Sequence, residues 1–113
     1  MKTRSAVAAL AALAQDYRLA IFRALVQAGP AGLPAGKIGE VAAIAPSLVT
    51  FHMKELVNSG MVKSRQEGRF VIYSANFRTM NGLVDFLTDN CCGGKPCTPV
   101  RKPACASAEQ GPS

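Results

Sequence analysis

The chain has no tryptophan, a single histidine, and no cysteine in its first ninety residues. With aromatic residues at only 6%, a core must be assembled from a limited set of Leu, Ile, Val, Phe and Met. At 113 residues that makes one small domain, which gains much from pairing with a second copy. A disulfide scaffold would spread its cysteines across the fold, so their absence from most of the chain argues against one. No segment approaches the ~20 consecutive apolar residues that span a bilayer. Lys2 and Arg4 followed by the alanine-rich stretch Ala6 to Ala14 superficially copy a secretory signal. The large apolar residues of that stretch, Val7, Leu10 and Leu13, recur every third position and make a stripe on a helix instead. The expectation is a cytoplasmic protein with no membrane partner. There is also no phosphate-binding loop, no paired acid/base site and no nucleophile–histidine arrangement, so no enzyme is expected. Acidic residues are scarce as well: 7 Asp+Glu stand against 13 Lys+Arg. That surplus suits a polyanion such as nucleic acid.

What is present reads as a series of short helices followed by a hairpin. A first helix is expected from Ser5 to Ala14, and Asp16 is placed to cap a second. From Tyr17 to Ala28, Leu19, Ile21, Phe22, Leu25 and Val26 form one face, with Arg18 and Arg23 off it as ordinary surface charge. Gly29-Pro30 ends that helix, and Ala31 to Gly36 reads as a loop. Two short helical patterns follow. The first, Ala35 to Ile44, points Ile38, Val41 and Ala42 inward; the second, Pro46 to Ser59, points Val49, Met53, Leu56 and Val57 inward. Pro46 suits the first turn of the second helix, where its missing N–H costs little. Two short helices across a tight turn are the layout of a helix-turn-helix.

Gly60 is placed to close the second of these helices, and the period then changes to two. Met61 to Gln66 and Arg69 to Ala75 read as strands joined by a turn at Glu67-Gly68, a wing directly after the helix-turn-helix. Phe70, Ile72 and Ser74 share one face of it, Val71 and Tyr73 the other. Asn76 is placed to cap a last helix reaching about Asp89, with Phe77, Met80, Leu83, Val84 and Leu87 as its stripe. The fold class is therefore mainly α with a small β-hairpin, a winged helix-turn-helix in the order α-α-α-α-β-β-α. Residues 1–90 are expected to form this winged helix-turn-helix domain. Residues 91–113 are rich in Cys, Gly, Pro, Lys and Ser, too poor in apolar residues to fold alone, and are expected to be a flexible Cys-containing tail.

Candidate DNA contacts follow from side-chain chemistry. The outer side of Pro46 to Ser59 carries Ser47, Thr50, Phe51, His52 and Lys54. Ser and Thr bond base edges or phosphates, Phe touches thymine methyl groups, and Lys pairs with phosphate. A lone histidine on a helix is more often a structural hydrogen-bonder, and His52 carries that reading beside the DNA one. The wing offers Lys63, Arg65 and Arg69 beside a glycine turn, suited to the sugar-phosphate backbone or the minor groove.

The stretches Leu13-Ala-Gln-Asp-Tyr-Arg-Leu-Ala-Ile-Phe-Arg-Ala-Leu25, Ser47-Leu-Val-Thr-Phe-His-Met-Lys-Glu-Leu56, Gly60-Met-Val-Lys and Glu67-Gly-Arg-Phe-Val-Ile-Tyr73, in that order and spacing, resemble the arsenic-repressor (ArsR/SmtB) family of bacterial metal-responsive repressors. The likeness covers roughly residues 9 to 97. It implies a homodimer built on the first and last helices, whose two recognition helices enter successive major grooves of an imperfect palindrome in double-stranded operator DNA.

Family members differ in where the inducer binds. The helix before the recognition helix, Lys37-Ile-Gly-Glu-Val-Ala-Ala-Ile44, has no Cys or His, and Asn76 to Asp89 has Asp85 and Asp89 but no His. What remains is Cys91-Cys92-Gly93-Gly94-Lys95-Pro96-Cys97, which looks like the C-terminal triple-cysteine site of the arsenite-responsive subset. Soft thiophilic ions prefer thiolates, and trivalent arsenic or antimony takes three sulfurs in a trigonal pyramid. Gly93-Gly94 lets the chain double back so that Cys97 joins Cys91 and Cys92. Cys105 is a possible extra ligand that would suit tetrahedral zinc or cadmium. A cadmium, lead, zinc or methylarsenite sensor, or a thiol-redox repressor of the same fold, stays open at this level. No cofactor is expected to be needed for folding.

Overall fold

The computed structural model describes residues 1–89. The expectations that fall on Asn90 and the tail, all four cysteines included, lie outside the described residues. Five helices and a three-stranded antiparallel sheet follow one another as α1 (Thr3–Leu13), α2 (Asp16–Ala28), a 3-10 turn (Gly29–Ala31), β1 (Leu33–Pro34), α3 (Ala35–Ala42), α4 (Pro46–Asn58), β2 (Val62–Glu67), β3 (Phe70–Ala75) and α5 (Phe77–Leu87). Among the described residues, no single helix is long and apolar enough to cross a membrane.

The core is made where α1, α2, α3 and α4 meet the base of the hairpin. Its fully buried large side chains are Ile21, Leu25, Ile38, Met53, Leu56 and Met61. Each such side chain contributes roughly 1.5–3 kcal/mol relative to an exposed one. α1 turns its alanines inward: Ala6, Ala9 and Ala12 are buried, while Val7 and Leu10 stand out in solvent. Small side chains let α1 lie close against its neighbours, and the stripe of larger residues is left on the outside.

Local signals place most helix ends. The side chain of Gln15, not Asp16, caps α2, accepting from the Arg18 N–H at 2.9 Å; Asp16 is instead the first residue of the helix, where a carboxylate complements the dipole. Asn76 caps α5 as its sequence position suggests, its Oδ1 accepting from the Thr79 N–H at 3.2 Å. α3 stops at Ala42, two residues short of Ile44, because Ala43 turns left-handed with φ 57° and donates its N–H back to Glu40 O and Gly39 O. The turn of the helix-turn-helix is thus Ala43 to Ala45. At the end of α4, Ser59 is the cap residue and Gly60 follows it at φ 84°.

The stretch 31–36 is not all loop. Leu33 and Pro34 form β1, pairing antiparallel with Tyr73 and Ile72, so the strand order is β1-β3-β2 with β3 in the middle. β2 pairs with β3 from Val62↔Ala75 to Glu67↔Phe70, leaving Gly68-Arg69 as a two-residue turn. Gly68 has φ 62°, the positive value that the first position of such a hairpin turn demands.

Val41 of α3, expected to point inward, is 52% exposed; Leu19 and Leu87, members of the apolar faces of α2 and α5, are 45% and 58% exposed. Leu19 and Val41 lie at the edges of their helical stripes, and Leu87 is the last residue of α5.

Candidate nucleic-acid interface

α4 divides cleanly into two sides. Val49, His52, Met53 and Leu56 are buried. Ser47, Leu48, Thr50, Phe51, Lys54, Glu55 and Asn58 are exposed. Of the α4 side chains expected to meet DNA, Ser47, Thr50, Phe51 and Lys54 are exposed, and Leu48 and Asn58 are exposed beside them. Pro46 at the first position of α4 starts this helix without losing a needed N–H. Gly39 of α3 sits tightly against it: a Cβ there would come within 3.3 Å of Val49 Cγ2 and 3.4 Å of Ile44 O. The two helices of the motif are held at that close approach by a missing side chain.

His52 does not belong to the reading face. It is 5% exposed, and its ring lies among aromatic neighbours, 5.8 Å from Tyr17 and 5.3 Å edge-on from Phe51 between ring centroids. Its Nδ1 is buried with no hydrogen-bond partner, as is the Nε of Arg18. Burial first, and the Arg18 charge second, push the His52 pKa below its ordinary 6.5. Arg18, expected as surface charge, is part of this interior corner and donates from Nη1 to Ala12 O at 3.4 Å. The helical spacing could have flagged His52, because it precedes the buried Met53 and follows Val49 by three positions.

The hairpin presents two different faces. Side chains alternate along β2, so Ser64 falls on one face and Lys63 and Arg65 on the other. Ser64 and Tyr73 share a groove of about 290 Å³ with Thr50, Met53, Lys54, Val57 and Asn58. The recognition helix and one face of the wing thus form a single channel with hydroxyls and an ammonium along it. Lys63 and Arg65 line a second cleft of about 270 Å³ with Pro30, Ser74 and Phe77; it has no α4 residue in its lining and meets the first groove at Ser64. Arg69 is exposed at the turn, where it extends the wing tip.

Arg65 is not a free cation. Its Nε donates to Glu67 Oε2 at 2.6 Å, its Nη2 to Ala31 O at 2.8 Å, and its Nη1 makes a longer contact of 3.5 Å to Pro30 O. The structure therefore gathers Thr50 and Lys54 with the wing's Ser64, leaves Ser47 and Phe51 exposed on α4 outside that groove and Arg69 at the tip, buries His52, and puts Lys63 and Arg65 on a second cleft that shares only Ser64 with the first. Among the described residues, no three His, Cys, Asp or Glu side chains cluster in a way that could hold a metal ion.

Comparison with known proteins agrees with this geometry. Residues 13–65 match the model of a helix-turn-helix domain family. An ArsR-like transcriptional regulator from Rhodococcus is 24% identical with a TM-score of 0.66, covering 74% of this chain and 76% of its own. HlyU from Vibrio cholerae is 24% identical with a TM-score of 0.62, covering 81% of this chain and 99% of its own. The homodimeric winged helix-turn-helix DNA-binding domain of a possible ArsR-family transcriptional regulator from Mycobacterium bovis is 19% identical with a TM-score of 0.62, covering 85% and 89%. No curated protein matches the chain. At these identities the likeness is one of fold. The chain has the winged helix-turn-helix fold of these solved structures, with residues 13–65 similar to the helix-turn-helix domain model.

Proposed function

We propose that the chain is a homodimeric, DNA-binding transcriptional repressor, cytoplasmic and without catalytic activity, that is released from its operator by trivalent arsenic or antimony bound to Cys91, Cys92 and Cys97. The observation that carries the DNA-binding part is the channel between α4 and the wing, where Thr50, Lys54 and Ser64 line one groove. A helix of this width enters the major groove, and the hairpin beside it lies over the flanking backbone. The overall surplus of Lys and Arg supplies the counterion-release term of affinity.

A second copy of the chain is supported by the outer face of α1, where Val7 and Leu10 are 58% and 42% exposed, and by Leu87 at the end of α5. α1 and α5 are in contact, so these apolar residues stand on adjoining elements. Pairing through them sets two recognition helices at a fixed separation, which a palindromic site requires.

The inducer assignment rests on the sequence: all four thiols fall within residues 91–105, starting four residues after α5 ends. Three thiolates drawn onto one ion there would redirect the end of α5 and shift the spacing of the recognition helices. Coupling of about 1–3 kcal/mol per site is ordinary for such a switch. Thiol protons must be displaced, so inducer affinity rises with pH.

The DNA-binding part is tested on duplex DNA from the chain's own promoter. Lys54→Met is expected to weaken binding on every sequence and to lower the slope of log affinity against log salt by about 0.9 for each phosphate that Lys54 neutralises. Thr50→Ala is expected to cost about 1 kcal/mol on the preferred sequence alone. Failure of the native chain to bind any duplex would refute the reading.

A further inference from the structure

Arg65 looks in sequence like one more wing cation for the phosphate backbone. Its surroundings assign it different work. Arg65 on β2 stands opposite Ile72 on β3, and Ile72 stands opposite Pro34 on β1. These three positions form one row across the sheet. From the outer strand, the guanidinium reaches over that row to the carbonyls of Pro30 and Ala31, just ahead of β1. Glu67, one residue before the turn, holds the Nε from the other side at 2.6 Å. Three of the five N–H donors of a rigid, planar fork are committed to protein oxygens.

The carbonyls that receive it close the 3-10 turn after α2. Carbonyls at a helical C-terminus carry partial negative charge and lack partners within the helix. The turn is itself held in place: Gly32 donates its N–H to Gly29 O at 3.1 Å, and Leu33 next in line pairs with Tyr73. One end of the strap is therefore fixed to the body of the protein, and the other end sits on the strand that leads to the wing tip.

We infer that Arg65 is a positioning residue for DNA binding: it straps the wing to the turn after α2 and so sets where Arg69, four residues on, meets the backbone. The inference rests on the DNA-binding reading above and specifies how the wing serves it. The strap is directional and bidentate, and a lysine cannot reproduce it. Arg65 is expected to add little to counterion release on binding, because Glu67 already pairs with its charge at 2.6 Å.

The test uses the full-length reduced chain on duplex DNA from its own promoter, with affinities per active dimer measured across a range of salt. Three variants, Arg65→Met, Arg65→Lys and Arg69→Met, are compared with the double variant Arg65→Met/Arg69→Met. Arg65→Met is expected to weaken binding about fivefold with an unchanged salt slope, and Arg65→Lys to weaken it similarly despite keeping the charge. Arg69→Met lowers the slope by about 0.9 for each phosphate that Arg69 neutralises. In the Arg69→Met background, Arg65→Met should have little further effect, because a strap has no value once the tip no longer touches the backbone. A residue that only supported the fold would lower the melting temperature without this dependence on Arg69. A lowered slope in Arg65→Met, or full rescue by Arg65→Lys, would make Arg65 a phosphate contact and overturn the inference; so would additive effects in the double variant. Absence of binding by the native chain would instead overturn the DNA reading itself.

Discussion

Gly32 lies against the backbone of Tyr73 so closely that a Cβ on it would fall 2.3 Å from the Tyr73 carbonyl oxygen. Gly32 also has φ 71° and ψ −168°, a region that only glycine enters readily. Gly32→Ala therefore meets both a clash with backbone and a forbidden conformation. It is expected to destabilise the fold by about 2–3 kcal/mol, read by denaturant unfolding at fixed protomer concentration. A loss below about 0.5 kcal/mol, the scatter of neutral surface changes, would mean that β1 does not pack against β3 as described.

His52 makes stability depend on pH. Its pKa is lowered in the fold from 6.5, by burial and then by Arg18, so the unfolded chain takes up this proton more readily than the folded one. The contribution is complete above pH 6.5 and is lost as pH falls from there through the folded-state value. Unfolding free energy should drop as pH falls below the ordinary histidine value of 6.5, and His52→Gln should flatten that part of the profile. An identical profile in His52→Gln would remove His52 as the cause.

The outward stripe on α1 yields a prediction about assembly. Val7→Glu changes a side chain that is 58% exposed in the single chain, so each protomer should still fold on its inward alanines. Sedimentation or light scattering should show the mass falling from two chains to one, and operator affinity should fall with it. A Val7→Glu chain that stays dimeric would place the second copy elsewhere.

The order of elements was legible in the sequence because helical and strand periods differ and because Pro46, Gly68 and Asn76 punctuate the boundaries. The two-residue strand β1 was not: Leu33-Pro34 is too short to show a period, and it exists only because Tyr73 and Ile72 offer it a sheet edge. α3 looked longer because Ala43 gives no sign of a left-handed turn; glycine or asparagine would have. At the candidate site, residue types and most of the outward side of α4 were legible, and the directions of the wing's side chains were not. Ser47, Thr50, Phe51 and Lys54 lie where the helical pattern put them. Lys63 and Arg65 needed the strand register, and Arg65 also needed its partners at Ala31 and Glu67, thirty-four and two residues away. His52 sits at the boundary of two sides of α4, where a shift of one position in the pattern decides burial.

The most direct measurement on the proposed repressor is fluorescence anisotropy of the reduced chain on its own promoter DNA, titrated with arsenite and repeated with Cd²⁺ and Zn²⁺. A three-thiolate inducer site predicts tight binding that arsenite reverses, and loss of that reversal in Cys91→Ser, Cys92→Ser or Cys97→Ser with DNA affinity intact. Tight binding that arsenite leaves unchanged, or release that survives Cys97→Ser, would contradict it.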